Sequence, residues 1–152
     1  MKLAIGSDQN GIALKKSLIE SLQSQGHEIF DLGCGEGEAI DYPDVAEKLG
    51  LAVAAGDYER GILICGTGIG MALVANKILG IRAAQVADIY SAERAAKSNN
   101  ANIITFGAQV IGVETAKTLA GVWVNSEFAG GRSLPKVEKI ERIDQQYRAK
   151  PK

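Results

Sequence analysis

The chain has 152 residues, long enough to bury a core without disulfides or metals, and the sequence predicts one domain over residues 1–152. Its 46% hydrophobic and 23% charged content is ordinary, and a net charge of −1 gives no electrostatic case for nucleic acid or membrane partners. No stretch approaches the roughly 20 apolar residues of a membrane span and the apolar start is too short for a signal peptide, so a cytoplasmic location is expected. Cys34 and Cys65 make no disulfide framework, and one histidine with no Cys-x-x-Cys makes no zinc-type cluster, so no metal is expected.

Lys2 to Ile5 reads as a short buried strand, and Gly6 to Gly11 as a turn into a helix with apolar positions at Leu14, Leu18, Ile19 and Leu22. Gly26-His27 ends that helix, and His27 to Leu32 forms a second strand before the glycine-rich loop Gly33 to Gly37. Asp41-Tyr-Pro-Asp44 opens a second helix carrying Val45, Leu49 and Val53, which runs to Gly56. A third strand follows through Ile62, Leu63 and Ile64 to Cys65, then a helix from Met71 through Val74 to Ile78. Ile81 to Val86 is a fourth strand, Ser91 to Lys97 a short helix, Asn102 to Phe106 a fifth strand, and Val113 to Val124 the last core helix. The segment from about residue 135, polar and charged by Glu138, is expected as a surface helix with a frayed tail near Pro151. The alternation predicts a three-layer α/β/α sandwich around a Rossmann-like, five-stranded, mostly parallel sheet.

The densest chemical signal is Cys65-Gly-Thr-Gly-Ile-Gly70, a cysteine at the carboxyl end of a buried strand followed by a glycine-rich turn. In open parallel sheets that edge binds ligands, and turn amides at a helix start favour negative charge. Such amides also favour thiolate over thiol, the form that acts as base or nucleophile. The plainer reading of Cys65 is a small hydrophobe in the core. A G-x-G-x-x-G dinucleotide motif fails at Met71, and no Gly-Lys-Ser/Thr supports a phosphate loop, so a small-anion or oxyanion site remains. The loops at the strand carboxyl ends, with Asp8, Gln9, Cys65 to Gly70, Asp88 and Gly107 to Gln109, are expected to form one site. Asp8 reads equally well as a helix cap, and Asn99, Asn100 and Asn102 as turn formers.

Taken together, Ile5-Gly-Ser-Asp8, Asp41-Tyr-Pro43, Gly61 to Gly70, Ala75-Asn-Lys77, Gly80-Ile-Arg-Ala83, Tyr90-Ser-Ala92, Asn99, Val110-Ile-Gly112 and Gly130-Gly-Arg132 resemble the ribose-5-phosphate isomerase B family. That family includes galactose-6-phosphate isomerase subunits and tetrose-phosphate isomerases. The resemblance covers nearly the whole chain and implies a cofactor-free enzyme that interconverts an aldose phosphate and a ketose phosphate through an enediolate. It implies Cys65 as the base, the turn amides Gly66, Thr67, Gly68, Ile69 and Gly70 around the enediolate oxygen, and Asn99 as an assisting group. Thr67 would handle a hydroxyl proton, Asp8 would orient sugar hydroxyls, and Arg132 with Lys136 would hold the phosphate. It also implies a homodimer, or a tetramer, with sites shared so that Asn99 and Arg132 serve a partner's Cys65.

The chain departs from the family pattern. Gln9, Ser98 and Ser133 stand where histidines are usual, leaving no ring-opening imidazole, and Gln109 and Lys136 stand where phosphate-binding arginines are usual. An open-chain four-carbon substrate needs no ring opening, which favours a tetrose phosphate such as erythrulose 4-phosphate beside the default ribose 5-phosphate. Replacing one charge-assisted hydrogen bond, worth about 1.5–3 kcal/mol, weakens phosphate capture unless another cation compensates. A non-catalytic or hetero-oligomeric subunit is a further alternative, and retention of Cys65, Asp8 and Asn99 argues against it.

Overall fold

The computed structural model describes residues 1–148. Five strands, β1 (Lys2–Ser7), β2 (Glu28–Asp31), β3 (Arg60–Cys65), β4 (Ala83–Gln85) and β5 (Ile103–Gly107), form one sheet in the order β2-β1-β3-β5-β4. Every pairing between them is parallel. The helices are α1 (Ile12–Ser24), α2 (Tyr42–Ala54), α3 (Ile69–Ala75), α4 (Ile89–Lys97), α5 (Val113–Val124) and α6 (Leu134–Arg148), with 3-10 turns at Gln9–Gly11 and Gly131–Ser133.

Both sheet faces are covered, which explains why the strands read as unbroken apolar runs. Leu3, Ile5, Ile62, Ile64, Ile104 and Phe106 face α1, α4 and α5, where Leu18, Ala96, Leu119 and Trp123 complete one core. Ala4, Leu63, Cys65 and Ile103 face α2 and α3, where Val45, Leu49, Met71 and Ala75 complete the other. Side chains alternate along each strand, so Cys65 falls on the α2/α3 face. The Lys15 ammonium, 3% exposed, is sealed inside, where it lies 2.9 Å from Asp31 Oδ2 and donates to the Cys34 carbonyl at 2.5 Å. It fastens the loop that leaves β2 beside the carboxyl end of β1.

Several boundaries differ from the sequence reading, each for a local reason. β4 begins at Ala83 rather than Ile81 because Asn102 Oδ1 accepts from Arg82 N and Asn76 brackets Ala83, accepting from its N–H and donating to its carbonyl. α3 starts at Ile69, two residues before Met71, because Thr67 Oγ1 accepts from Ile69 N. α4 starts at Ile89 because Asp88 caps it, accepting from Ser91 N at 2.7 Å, and this hydrogen bond holds the Asp88 carboxyl below its ordinary value. α6 already starts at Leu134. The expected fraying at Pro151 lies outside the described residues. No helix among the described residues is long and apolar enough to cross a membrane.

Candidate active site

The chain leaves β1 towards β2 on one side, while β3 lies on the other, so the crevice outside their carboxyl ends is the switch point of the sheet. Two segments meet there. Asp8, 5% exposed, follows β1, and its N–H donates to the Ile64 carbonyl of β3 at 3.2 Å. Both of its carboxylate oxygens accept from Asn10, at 2.9 Å from N and 3.3 Å from Nδ2, so Asp8 does cap the 3-10 turn. Gln9 is exposed and accepts from Ile40 N at 3.2 Å, tying the loop after β2 across the same edge.

Cys65 ends β3 and is 4% exposed. Its Sγ accepts a hydrogen bond from Gly68 N at 3.1 Å, one turn amide aimed at the sulfur at the head of α3. Gly68 makes this possible with φ of 78°, the left-handed region that side chains rarely adopt. A Cβ there would lie 2.8 Å from the Phe106 carbonyl carbon. The turn is held from beneath: Thr105 Oγ1 donates to the Gly68 carbonyl at 2.7 Å and Gln85 Nε2 to the Thr67 carbonyl at 3.3 Å. The loop after β5 closes on it too, with Ala108 N and Gln109 N donating to the Cys65 and Gly66 carbonyls. Gly107 has no room for a side chain, since a Cβ would meet the Thr67 carbonyl oxygen at 2.6 Å. Gln109 lies over Gly66, and the Tyr42 ring stands against Gly70 as a wall.

Asp8, Gln9, Cys65 to Gly70 and Gln109 therefore share one sheet edge. Two turn amides expected to face an oxyanion are already used: Gly68 N on Cys65 Sγ and Ile69 N on Thr67 Oγ1. Sequence reasoning missed Thr105, Gln85 and Gly107 as supports of the turn. Only the single glycine ending β5 hinted at the close approach.

Ser98 and Asn99 lie elsewhere. Gly61 N donates to the Asn102 carbonyl, which puts the end of α4 at the amino end of β3. Six strand residues, rising about 3.3 Å each, separate that edge from Cys65 by about 16 Å. Asn99 is exposed and lines a cavity of about 500 Å³ beneath α6 with Leu79, Arg82, Ile140 and Ile143. The chain returns to this edge at Ala129, whose N–H donates to the Lys97 carbonyl, just before the exposed Arg132 and Lys136. The expected site residues thus divide into two groups at opposite edges of one chain. His27 also belongs to the amino edge, beside the start of β2, and burial lowers its imidazole below the ordinary value.

The ribose/galactose isomerase family profile matches residues 3–140. The chain is 56% identical over 148 residues to ribose-5-P isomerase B of Listeria innocua, covering 97% of this chain and all of that protein. It is 52% identical to the D-erythrulose-4-phosphate isomerase of Pectobacterium atrosepticum, covering 96% of this chain and 97% of that one. The solved ribose-5-phosphate isomerase B of Clostridium thermocellum superposes with a TM-score of 0.93 at 41% identity, over 97% of this chain and 99% of the other. With the glycine turn beneath Cys65 and the fold shared over nearly its whole length, the chain belongs to the ribose/galactose isomerase family.

Proposed function

We propose that the protein is an aldose–ketose isomerase acting on ribose 5-phosphate and ribulose 5-phosphate in the cytoplasm, with Cys65 as the base. The observation that carries this reading is the Cys65 sulfur at the switch point, accepting from Gly68 N at 3.1 Å. In the aldose-to-ketose direction the thiolate takes the proton from C2, leaving an enediolate, and returns it to C1. The O2 hydroxyl proton moves to O1 through Thr67, whose exposed side chain stands beside the cysteine. Turn amides not already spent stabilise the developing oxyanion, and Asp8 orients the sugar hydroxyls.

Asn99, Arg132 and Lys136 contribute from a second copy of the chain. The reading as a homodimer with shared sites is supported by the division of these residues from Cys65. It is supported also by apolar side chains left exposed, among them Leu73 on α3, Tyr90 on α4 and Ile143 on α6.

A second reading, a tetrose-phosphate isomerase, draws on the chain's single histidine lying at the amino edge of the sheet with no imidazole beside Cys65. A pentose phosphate ring must open before its carbonyl can react, whereas a four-carbon 4-phosphate is open-chain. The similarity to the Pectobacterium enzyme supports the same reading. Turnover of ribose 5-phosphate, erythrulose 4-phosphate and free ribose, with Cys65→Ala as blank, separates the two. Dominant ribose 5-phosphate turnover is expected. A preference for the four-carbon substrate would replace the first reading with the second, and inactivity on both would reject the isomerase reading.

A further inference from the structure

The amino-edge group contains a cation that no role above uses. Tyr90, Arg94 and Ser98 recur at four-residue spacing along one face of α4 and lead directly to Asn99. The Ser98 and Asn99 N–H groups both donate to the Arg94 carbonyl, so backbone bonds fix Arg94 against the group expected to assist the reaction. Its guanidinium donates from Nη1 to Ser98 Oγ at 3.4 Å, lies 3.2 Å from Glu93 Oε2 through Nη2, and packs 5.8 Å from the Tyr90 ring centre. Nε is buried and has no partner.

A guanidinium carries five N–H donors in a plane and pairs best with an oxyanion that spans two of them. Arg94 spends its donors poorly. Glu93 is shared, because Lys97 takes its other carboxylate oxygen at 2.5 Å, and the Ser98 contact is long. The side chain is 37% exposed, within reach of a ligand. On the Cys65 edge the residue lying over Gly66 is Gln109, which brings no charge to a phosphate dianion.

We infer that Arg94 is a specificity-determining, phosphate-binding residue, delivered with Ser98 and Asn99 to the Cys65 of a second copy. The inference rests on the shared-site isomerase reading above. The phosphate takes the Nη donors that Ser98 and Glu93 leave unused, Nε remaining buried, and Arg94 supplies the charge that Gln109 lacks.

The test uses the whole chain. Arg94→Met is expected to raise KM for the phosphorylated substrate roughly 10- to 100-fold, the loss of one charge-assisted pair, with kcat little changed. Arg94→Lys is expected to recover part of this, and turnover of the free sugar should not move. Arg94→Met refolded together with Cys65→Ala is expected to regain a component with the unmodified KM, because one site in each mixed dimer then has both groups intact. Should Arg94→Met fail to fold, Arg94→Gln carries the same comparison. An unchanged KM, an equal rise for free and phosphorylated sugar, or no regain on mixing overturns the inference. Inactivity of the unmodified protein on every sugar phosphate would instead overturn the isomerase reading itself.

Discussion

Cys65 shows how little of a residue's chemistry lies in its own identity. It is buried on the α2/α3 face like any core side chain, yet a turn amide points at its sulfur. Its environment was legible in the sequence because strand, cysteine and glycines lie within a dozen consecutive residues. Asp8 illustrates the opposite case: the sequence offers it as a cap of the first helix, whereas both carboxylate oxygens are engaged by Asn10 in the preceding 3-10 turn and α1 begins after Gly11, which makes no side-chain cap bond. Arg132 is exposed, and the proposed reading has it hold the substrate phosphate. Arg132→Ala is expected to raise KM for phosphorylated substrates by about tenfold or more, the worth of a charge-assisted hydrogen bond, with little effect on a free sugar. Steady-state kinetics on both substrates checks this, and equal effects would mean that the phosphate is held elsewhere.

At the scale of elements, the site depends on supports that no local pattern reveals. Thr105 reaches the Gly68 carbonyl across 37 residues of sequence, and β5 presses against the turn through Gly107. Chain-distant contacts of this kind arise from strand order, and strand order is not written in periodicity. The alternation of strands and helices was legible, because runs such as Gly61 to Ile64 can only be buried on both faces. The short extent of β4 was not, because Asn76 and Asn102 side chains compete for backbone groups that a strand would otherwise use. Gly68→Ala tests the support directly. It forces a side chain into a left-handed conformation and against the Phe106 carbonyl, costing about 1–3 kcal/mol. Gly112→Ala is the control, since nothing lies within 4 Å of its added carbon and its φ is −76°. Denaturant midpoints should fall for Gly68→Ala alone, and activity with them; equal midpoints would show that the turn tolerates a side chain.

At the scale of the whole molecule, the residues expected to act together divide between opposite sheet edges, and the proposed shared-site dimer would reunite them. Motif positions alone did not show that Asn99 and Cys65 lie at opposite ends of the sheet; that follows from α4 running back to the amino edge. The same edge holds the chain's single histidine. Burial, followed by the positive chain terminus, lowers the His27 imidazole from 6.5, and Nδ1 is buried without a partner. The folded chain therefore binds that proton less readily than the unfolded chain. Its contribution to stability is full above the unfolded value and is lost as pH falls from about 6.5 towards the lower folded value. Melting temperature should drop between about pH 7.5 and 5.5, and His27→Gln should flatten that slope; an unchanged slope would assign it to other groups. The central claim, proton transfer by Cys65 in a folded isomerase, is tested most directly by following exchange of the carbon-bound proton of ribose 5-phosphate in heavy water by NMR. The unmodified protein is expected to exchange it during turnover, and Cys65→Ala, with an unchanged melting temperature, to exchange it about 100-fold or more slowly. Exchange at the unmodified rate in Cys65→Ala would contradict the account.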